Sequence, residues 1–169
     1  MKRKINLWEY ANVICEETGK AVLLTTALNG KVNTMTIGWG TLGVQWGKPI
    51  FIAFVRESRF TKEFLDKNPE FTVNIPVNGC DKQILGFCGR ASGRDVDKVK
   101  ELGLHLEPGN TVSVPGIREL PLTLECKVIY RQDQNPAAIG PEDIGRFYPE
   151  GDYHTAYYGQ ITDAYIIED

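Results

Sequence analysis

At 169 residues, with 42% hydrophobic and 24% charged side chains, the chain is long enough to bury one core and too apolar to stay disordered. A formal charge of −3, a pI near 5.5 and no long basic run argue against a nucleic acid partner, which needs clustered Lys and Arg. No apolar run approaches the roughly 18 to 20 residues that span a bilayer, and residues 1–12 lack the apolar centre of a secretion signal, so the expectation is one cytosolic domain over 1–169 with no membrane partner.

Residues 1–12 show no clear period and read as an N-terminal arm. Val13 to Thr18 and Ala21 to Leu28 are β-rich runs split at Thr18-Gly19, and Asn29-Gly30 is a strong hairpin signal because both residues tolerate positive φ. Val32 to Ile37 is the partner strand. Pro49 opens Ile50 to Val55, an unbroken apolar run that reads as a strand buried on both faces. Phe60, Phe64 and Leu65 then take helical spacing until Asn68-Pro69 ends the turn. Phe71 to Ile75 reads as a strand, Asp81 to Cys88 and Asp95 to Leu102 as short helices, with the polar loop Gly89 to Arg94 between them. Leu104 to Leu106, Ile117 to Tyr130 and Tyr157 to Ile167 supply further strands, interrupted by Pro- and Gly-containing loops around 108–116 and 135–151. Strands outnumber helices without regular β-α-β alternation, which predicts a mainly β (α+β) fold, a closed or split β-barrel with short peripheral helices.

Cys15, Cys80, Cys88 and Cys126 are irregularly spaced with no C-x-x-C pair and read as free thiols. With His105 and His154 the only histidines, no metal ligand set assembles. His105, in the alternating Leu104-His105-Leu106, reads as an outward strand residue.

Gly38-Trp39-Gly40-Thr41-Leu42-Gly43 matches the dinucleotide fingerprint G-x-G-x-x-G letter for letter. That fingerprint works only where a helix starts inside it, and Gly47 and Pro49 forbid a helix here. The glycines read instead as a bend, or as backbone passing close to something flat.

Arg56, Ser58, Arg59 and Thr61 follow a buried strand and open a helix. Unpaired helix amides and arginine forks suit phosphate oxygens; equally, Ser58 can cap the helix while the arginines are solvated. Asn33, Thr34, Met35 and Thr36 offer backbone amides and short polar side chains to the edge of a planar heteroaromatic, or form an ordinary, partly exposed strand. Trp39 and Trp46 suit packing beside a ring, the core, or a subunit interface.

The run N-T-M-T-I-G-W-G-T from Asn33, the strand P-I-F-I-A-F-V-R-E-S-R-F-T from Pro49, F-T-V-N-I-P from Phe71, S-G-R-D-V-D-K at Ser92 to Lys98 and D-Y-H-T-A-Y-Y-G-Q-I at Asp152 to Ile161 together resemble the flavin reductase-like family of the flavoredoxin type. The resemblance implies a homodimeric FMN-binding split barrel, with Asn33 to Thr36 along the isoalloxazine and ribityl chain and Arg56 to Thr61 near the phosphate. Ser92 and Lys98 would also lie near the cofactor, Lys98 as a secondary phosphate partner or a solvated helix lysine. His154 resembles a histidine near the open face of the flavin, where nicotinamide docks; its alternative is a loop histidine bonded to backbone.

The function so implied is an FMN-dependent oxidoreductase that takes hydride from NADH or NADPH and reduces free flavin or another acceptor. The alternatives are a flavoredoxin-like electron carrier serving a redox protein, and a β-barrel binding module without flavin chemistry. The length leaves no room for a separate Rossmann unit, so a nicotinamide donor would stack directly on the flavin. Cys80 and Cys88 suggest a thiol relay, although unreactive buried cysteine is the commoner case.

Overall fold

The computed structural model describes residues 1–168. In chain order the elements are β1 (Lys2–Lys4), a 3-10 turn (Leu7–Tyr10), α1 (Ala11–Lys20), β2 (Val22–Leu28), β3 (Lys31–Ile37), β4 (Gly40–Gln45), β5 (Lys48–Arg56) and α2 (Phe60–Lys67). Then come β6 (Glu70–Ile75), α3 (Lys82–Arg90), α4 (Lys98–Leu102), β7 (Leu106–Glu107), β8 (Gly116–Ile117), β9 (Leu122–Asp133), α5 (Pro141–Phe147) and β10 (His154–Ile167).

The main sheet runs β3-β2-β6-β9-β10-β5-β4, with β1 added to β10 and every pairing antiparallel. Its terminal strands, β3 and β4, are consecutive in the chain and joined only by Gly38 and Trp39. Such a link spans at most ~10 Å, so the sheet has to curl until its two edges nearly meet. No ladder joins them among the described residues, which leaves a split between β3 and β4 in an otherwise barrel-like sheet.

The interior follows the strand period of two. Phe51, Ala53 and Val55 from β5, Phe71, Val73 and Ile75 from β6, and Leu122, Leu124 and Cys126 from β9 alternate into one buried cluster. A second cluster lies outside the sheet, where Ile84 and Cys88 of α3 pack with Leu23, Leu104, Ile117 and Leu120. Between them, Thr25, Thr34, Thr72, Asn74 and Thr123 form a buried hydrogen-bonded ladder across four strands.

The barrel with peripheral helices agrees with the sequence reading, and several elements do not. Val13 to Thr18, expected as a strand, lies inside α1. Its β-branched residues are overridden because Ile14 and Thr18, four apart, bury one helical face near β4, and the Thr18 hydroxyl bonds the Ile14 carbonyl at 2.6 Å. The expected arm 1–12 is structured: β1 pairs with the end of β10, and Asn6 caps the turn at Leu7. Where the glycines of Gly38 to Gly43 read as a bend, the chain forms strand β4 over Gly40–Gln45, because glycine hides the strand pattern. Gly40 is required by close approach, since a Cβ there would stand 2.5 Å from the Phe51 ring. The strand expected at Leu104 to Leu106 forms only at Leu106–Glu107, and the loop around 135–151 contains α5. No helix among the described residues is long and apolar enough to cross a membrane.

Candidate functional site

Two clefts lie along β3 and the link that leaves it, and Arg59 lines both. They enclose about 180 Å³ and about 150 Å³, so together they reach the ~300 Å³ lower end of small-molecule sites. Larger depressions of about 630 and 550 Å³ occur elsewhere; the first is lined by one lysine and the second by Lys20 and Lys82, of which Lys20 is paired with Glu17, and neither brings arginines together with hydroxyls as the cationic cleft does.

The first cleft is aromatic. Met35, Thr36, Ile37, Gly38 and Trp39 line it consecutively, joined by Phe54, Arg56 and His154. One face of a strand presents only alternate residues, so a consecutive series means that β3 offers its unpaired backbone edge. Arg56 and His154 meet because they are register partners across β5 and β10. The Trp39 ring, 42% exposed, lies 5.1 Å from the His154 ring and 5.2 Å from Phe147.

His154 is buried and its Nδ1 lies 2.8 Å from the Tyr148 hydroxyl. Burial, with Arg56 and Arg59 adding to it against the opposing Asp152, pushes its pKa down to about 4. At neutral pH it is therefore an uncharged imidazole, suited to hydrogen bonding rather than to delivering a proton.

The second cleft is cationic. Arg59, Arg90, Arg94 and Lys98 line it with Asn33, Ser58, Thr61 and Ser92, beside the start of α2. The residue capping α2 is Arg59, which supplies no side-chain acceptor to the first helical amides, so the positive end of this helix meets the cleft uncapped. Asn33 donates to the Thr61 hydroxyl at 2.9 Å, fixing β3 to α2. The loop carrying Ser92 descends onto this pair through Gly93, where a Cβ would stand 2.1 Å from the Asn33 side-chain oxygen. Arg94 bonds Glu63 and the Ser58 carbonyl and lies over the Phe60 ring. Arg90 is exposed and has no side-chain partner among the described residues. Such a set of cations, hydroxyls and amides is the chemistry that accepts a phosphate group.

Of the residues singled out in the sequence, Asn33, Ser58, Arg59, Thr61, Ser92 and Lys98 gather at the cationic cleft, and Met35, Thr36, Trp39, Arg56, Arg59 and His154 at the aromatic one. Arg56 is thus apart from the phosphate-like seat, and its guanidinium is engaged with the carbonyls of Phe147 and Asp152, both at 3.0 Å. The Thr34 side chain lines neither cleft, because the strand period turns it into the buried threonine ladder beside Thr25. Lys98 is buried rather than solvated. Its ammonium donates to the Thr34 and Cys88 carbonyls at 2.9 and 3.0 Å, and burial lowers its pKa.

Ser58 is not an α2 cap. Its amide and hydroxyl both donate to the Asp152 carboxylate, at 2.9 and 2.6 Å. Burial alone would raise that carboxyl, but the Ser58 bonds together with Arg56 hold it below the usual range. Arg90 and Arg94 were not singled out in the sequence, although Gly89-Arg90-Ala91-Ser92-Gly93-Arg94 carries the signal, two arginines flanking small loop residues. His105 is exposed and paired with Glu119. The Cys88 thiol is pushed up to about 11 by burial and Cys126 rises by the same cause, so neither is a poised nucleophile.

A family model for the flavin reductase like domain matches residues 17–169. Flavoredoxin from Methanosarcina acetivorans is 29% identical with a TM-score of 0.68, over 88% of this chain and 68% of that one. Flavoredoxin of Desulfovibrio vulgaris (Miyazaki F) is 23% identical with a TM-score of 0.69, over 88% and 69% of the two chains. An NADH:FAD oxidoreductase of Streptomyces globisporus shares the fold at 18% identity and a TM-score of 0.66, over 87% and 75%. A curated relative, an uncharacterized protein of Archaeoglobus fulgidus, is 29% identical over 99 residues; the match spans 59% of this chain but only 55% of that protein. With a barrel of this topology and a family match across nearly its whole length, the chain belongs to the flavin reductase like family of split-barrel proteins.

Proposed function

We propose that the chain binds FMN across the joined clefts and acts as an oxidoreductase, taking hydride from NADH or NADPH and passing electrons to free flavin or another acceptor. One observation carries this reading: Arg59 links a seat built for phosphate to a cleft walled by an aromatic side chain and an open strand edge. The residues present fit the group. Arg59, Arg90, Arg94, Ser92 and the start of α2 hold the phosphate, with Lys98 supporting the seat from below through the Thr34 and Cys88 carbonyls. The β3 edge at Met35 to Ile37 meets the polar rim of the ring, and Trp39 shields it from solvent. FMN, when bound, supplies a ring that accepts a hydride and releases electrons singly or in pairs. His154, neutral and buried, offers a hydrogen bond at the ring or at a docked donor.

The reading includes a homodimer. Its support is the exposed apolar side chains Val44, Trp46 and Tyr130, the last two in contact; light scattering tests it, and the mass of a single chain would overturn it.

The decisive experiment is a titration of the purified protein with FMN and riboflavin, followed by anaerobic addition of NADH and then NADPH. Selective FMN binding with rapid bleaching of the flavin band supports the proposal. The 29% identical flavoredoxin favours a second reading, an electron carrier, for which FMN binds but neither nucleotide bleaches it. A protein that binds neither flavin overturns both.

A further inference from the structure

The segment from Phe147 to Tyr153 forms a strap behind the aromatic cleft, against its lining residues Trp39, Arg56 and His154, and only Tyr148 in it is buried. What holds it is a set of polar ties from the three residues that end and follow β5. Arg56 donates from one guanidinium nitrogen to the Phe147 carbonyl and from another to the Asp152 carbonyl, both at 3.0 Å. The Glu57 amide donates to the Tyr153 carbonyl at 3.0 Å, and Ser58 donates twice to the Asp152 carboxylate. Asp152 itself sits at φ +56°, a conformation that a non-glycine residue keeps only when its surroundings enforce it.

These ties converge on Tyr148. The Arg56 guanidinium lies 5.0 Å from the Tyr148 ring, and the Tyr148 hydroxyl lies 2.8 Å from Nδ1 of His154. The hydrogen bond of the His154 ring among the described residues is made at Nδ1, which leaves Nε2 unengaged, and His154 lines the cleft. The charged groups facing this imidazole are Arg56 from β5, Arg59 from the start of α2 and Asp152 from the strap.

We infer that Arg56 is a positioning residue: by clamping both ends of the strap it holds Tyr148 on Nδ1 of His154 and leaves Nε2 turned to the ligand in the cleft. A bidentate fork is needed for this, since two carbonyls five residues apart in the chain are held by one planar group, which lysine cannot reproduce. The inference rests on the proposed function only for the identity of the ligand; the clamp and the tautomer belong to the protein alone.

The test is nitrogen NMR of the His154 ring in the flavin-free protein, wild type against Arg56→Gln. In the wild type one tautomer persists down to about pH 4. In Arg56→Gln both tautomers become populated, and the titration midpoint rises by about one pH unit or more as cation and clamp are lost together. Arg56→Lys keeps the charge, so release of the tautomer in that variant isolates the clamp. Affinities for FMN and riboflavin fall by the same factor in Arg56→Gln, because Arg56 touches no phosphate. A tautomer and midpoint unchanged in Arg56→Gln, or a loss confined to FMN, overturns the inference. If Arg56→Gln does not fold, a locked tautomer in Arg56→Lys overturns it instead. A wild type that binds no flavin while its histidine behaves as described removes the proposed function and leaves the clamp standing.

Discussion

The two clefts share Arg59 but are built by opposite means. The cationic cleft is drawn from short polar runs, Asn33, Ser58 to Thr61 and Arg90 to Lys98, with Asn33 tied to Thr61 and Arg94 to the Ser58 carbonyl. The aromatic cleft takes a strand edge, one exposed tryptophan packed on Phe147 and His154, and two strand partners from distant parts of the chain, Arg56 and His154, held from the 147–153 segment. The contrast teaches a difference of range: the cationic cleft draws on residues 33–98, whereas the aromatic cleft is complete only when β10 brings His154 beside Arg56 of β5.

Arg59→Ala is expected to break the contrast most severely. Losing one charge-assisted contact of about 1.5–3 kcal/mol weakens FMN by roughly 10- to 100-fold, and riboflavin, which lacks the phosphate, far less. Fluorescence titration of both flavins checks it, and equal losses contradict the assignment of the seat. Gly93→Ala comes next. Its Cβ would stand 2.1 Å from the Asn33 oxygen and 2.8 Å from the Phe60 ring, so the loop has to move, at about 1–3 kcal/mol of stability read by thermal denaturation. FMN should weaken with it. Unchanged stability and unchanged FMN affinity would show that the loop is not held against β3.

Trp39→Ala sharpens the comparison from the other side. An aromatic contact of about 0.5–1.5 kcal/mol corresponds to a 2- to 10-fold loss, shared equally by FMN and riboflavin. A loss confined to FMN would instead tie Trp39 to the phosphate.

A further effect, on stability rather than on flavin affinity, is in pH. The folded-state pKa of His154 is about 4 and the unfolded value 6.5, so between them the unfolded chain takes up a proton that the folded chain refuses. Stability therefore falls as pH drops from 6.5 toward 4 and levels off below, with a slope from this group of at most about 1.4 kcal/mol per pH unit. Denaturant unfolding of the wild type and of His154→Gln, compared across that window, reads the difference; parallel curves would mean that His154 titrates normally.

How much of this was legible in the sequence follows the same difference. Arg59 could be found because cations and hydroxyls clustered near a helix start are a local pattern, whereas Ser92 and Lys98 came only from the resemblance carried by Ser92 to Lys98. The clamp by Arg56 could not, because its acceptors are main-chain carbonyls about ninety residues away, and carbonyls carry no sequence signature. Thr34 misled for a different reason: in N-T-M-T the letters look equivalent, and only the register with Thr25 shows which hydroxyl is spent inside the sheet. Val13 to Thr18 failed because β propensity is weak against burial of a helical face. The refusal of the glycine fingerprint agrees with the structure, where Gly40 begins a strand and not a helix.

The pairing of β5 with β10 also bears on how the molecule comes to exist. It joins residues roughly a hundred positions apart, and such distant ladders form late and slowly, on the millisecond-to-second scale of β-rich topologies. The Asn33–Thr61 tie and the Arg90–Lys98 loop need only the first two thirds of the chain, so the cationic seat can assemble while the carboxy-terminal strands are still searching. Under the proposed function, a nascent chain is therefore expected to assemble its phosphate seat before it gains Arg56 beside His154, and a ligand bound early would act as a template for the last strand to dock.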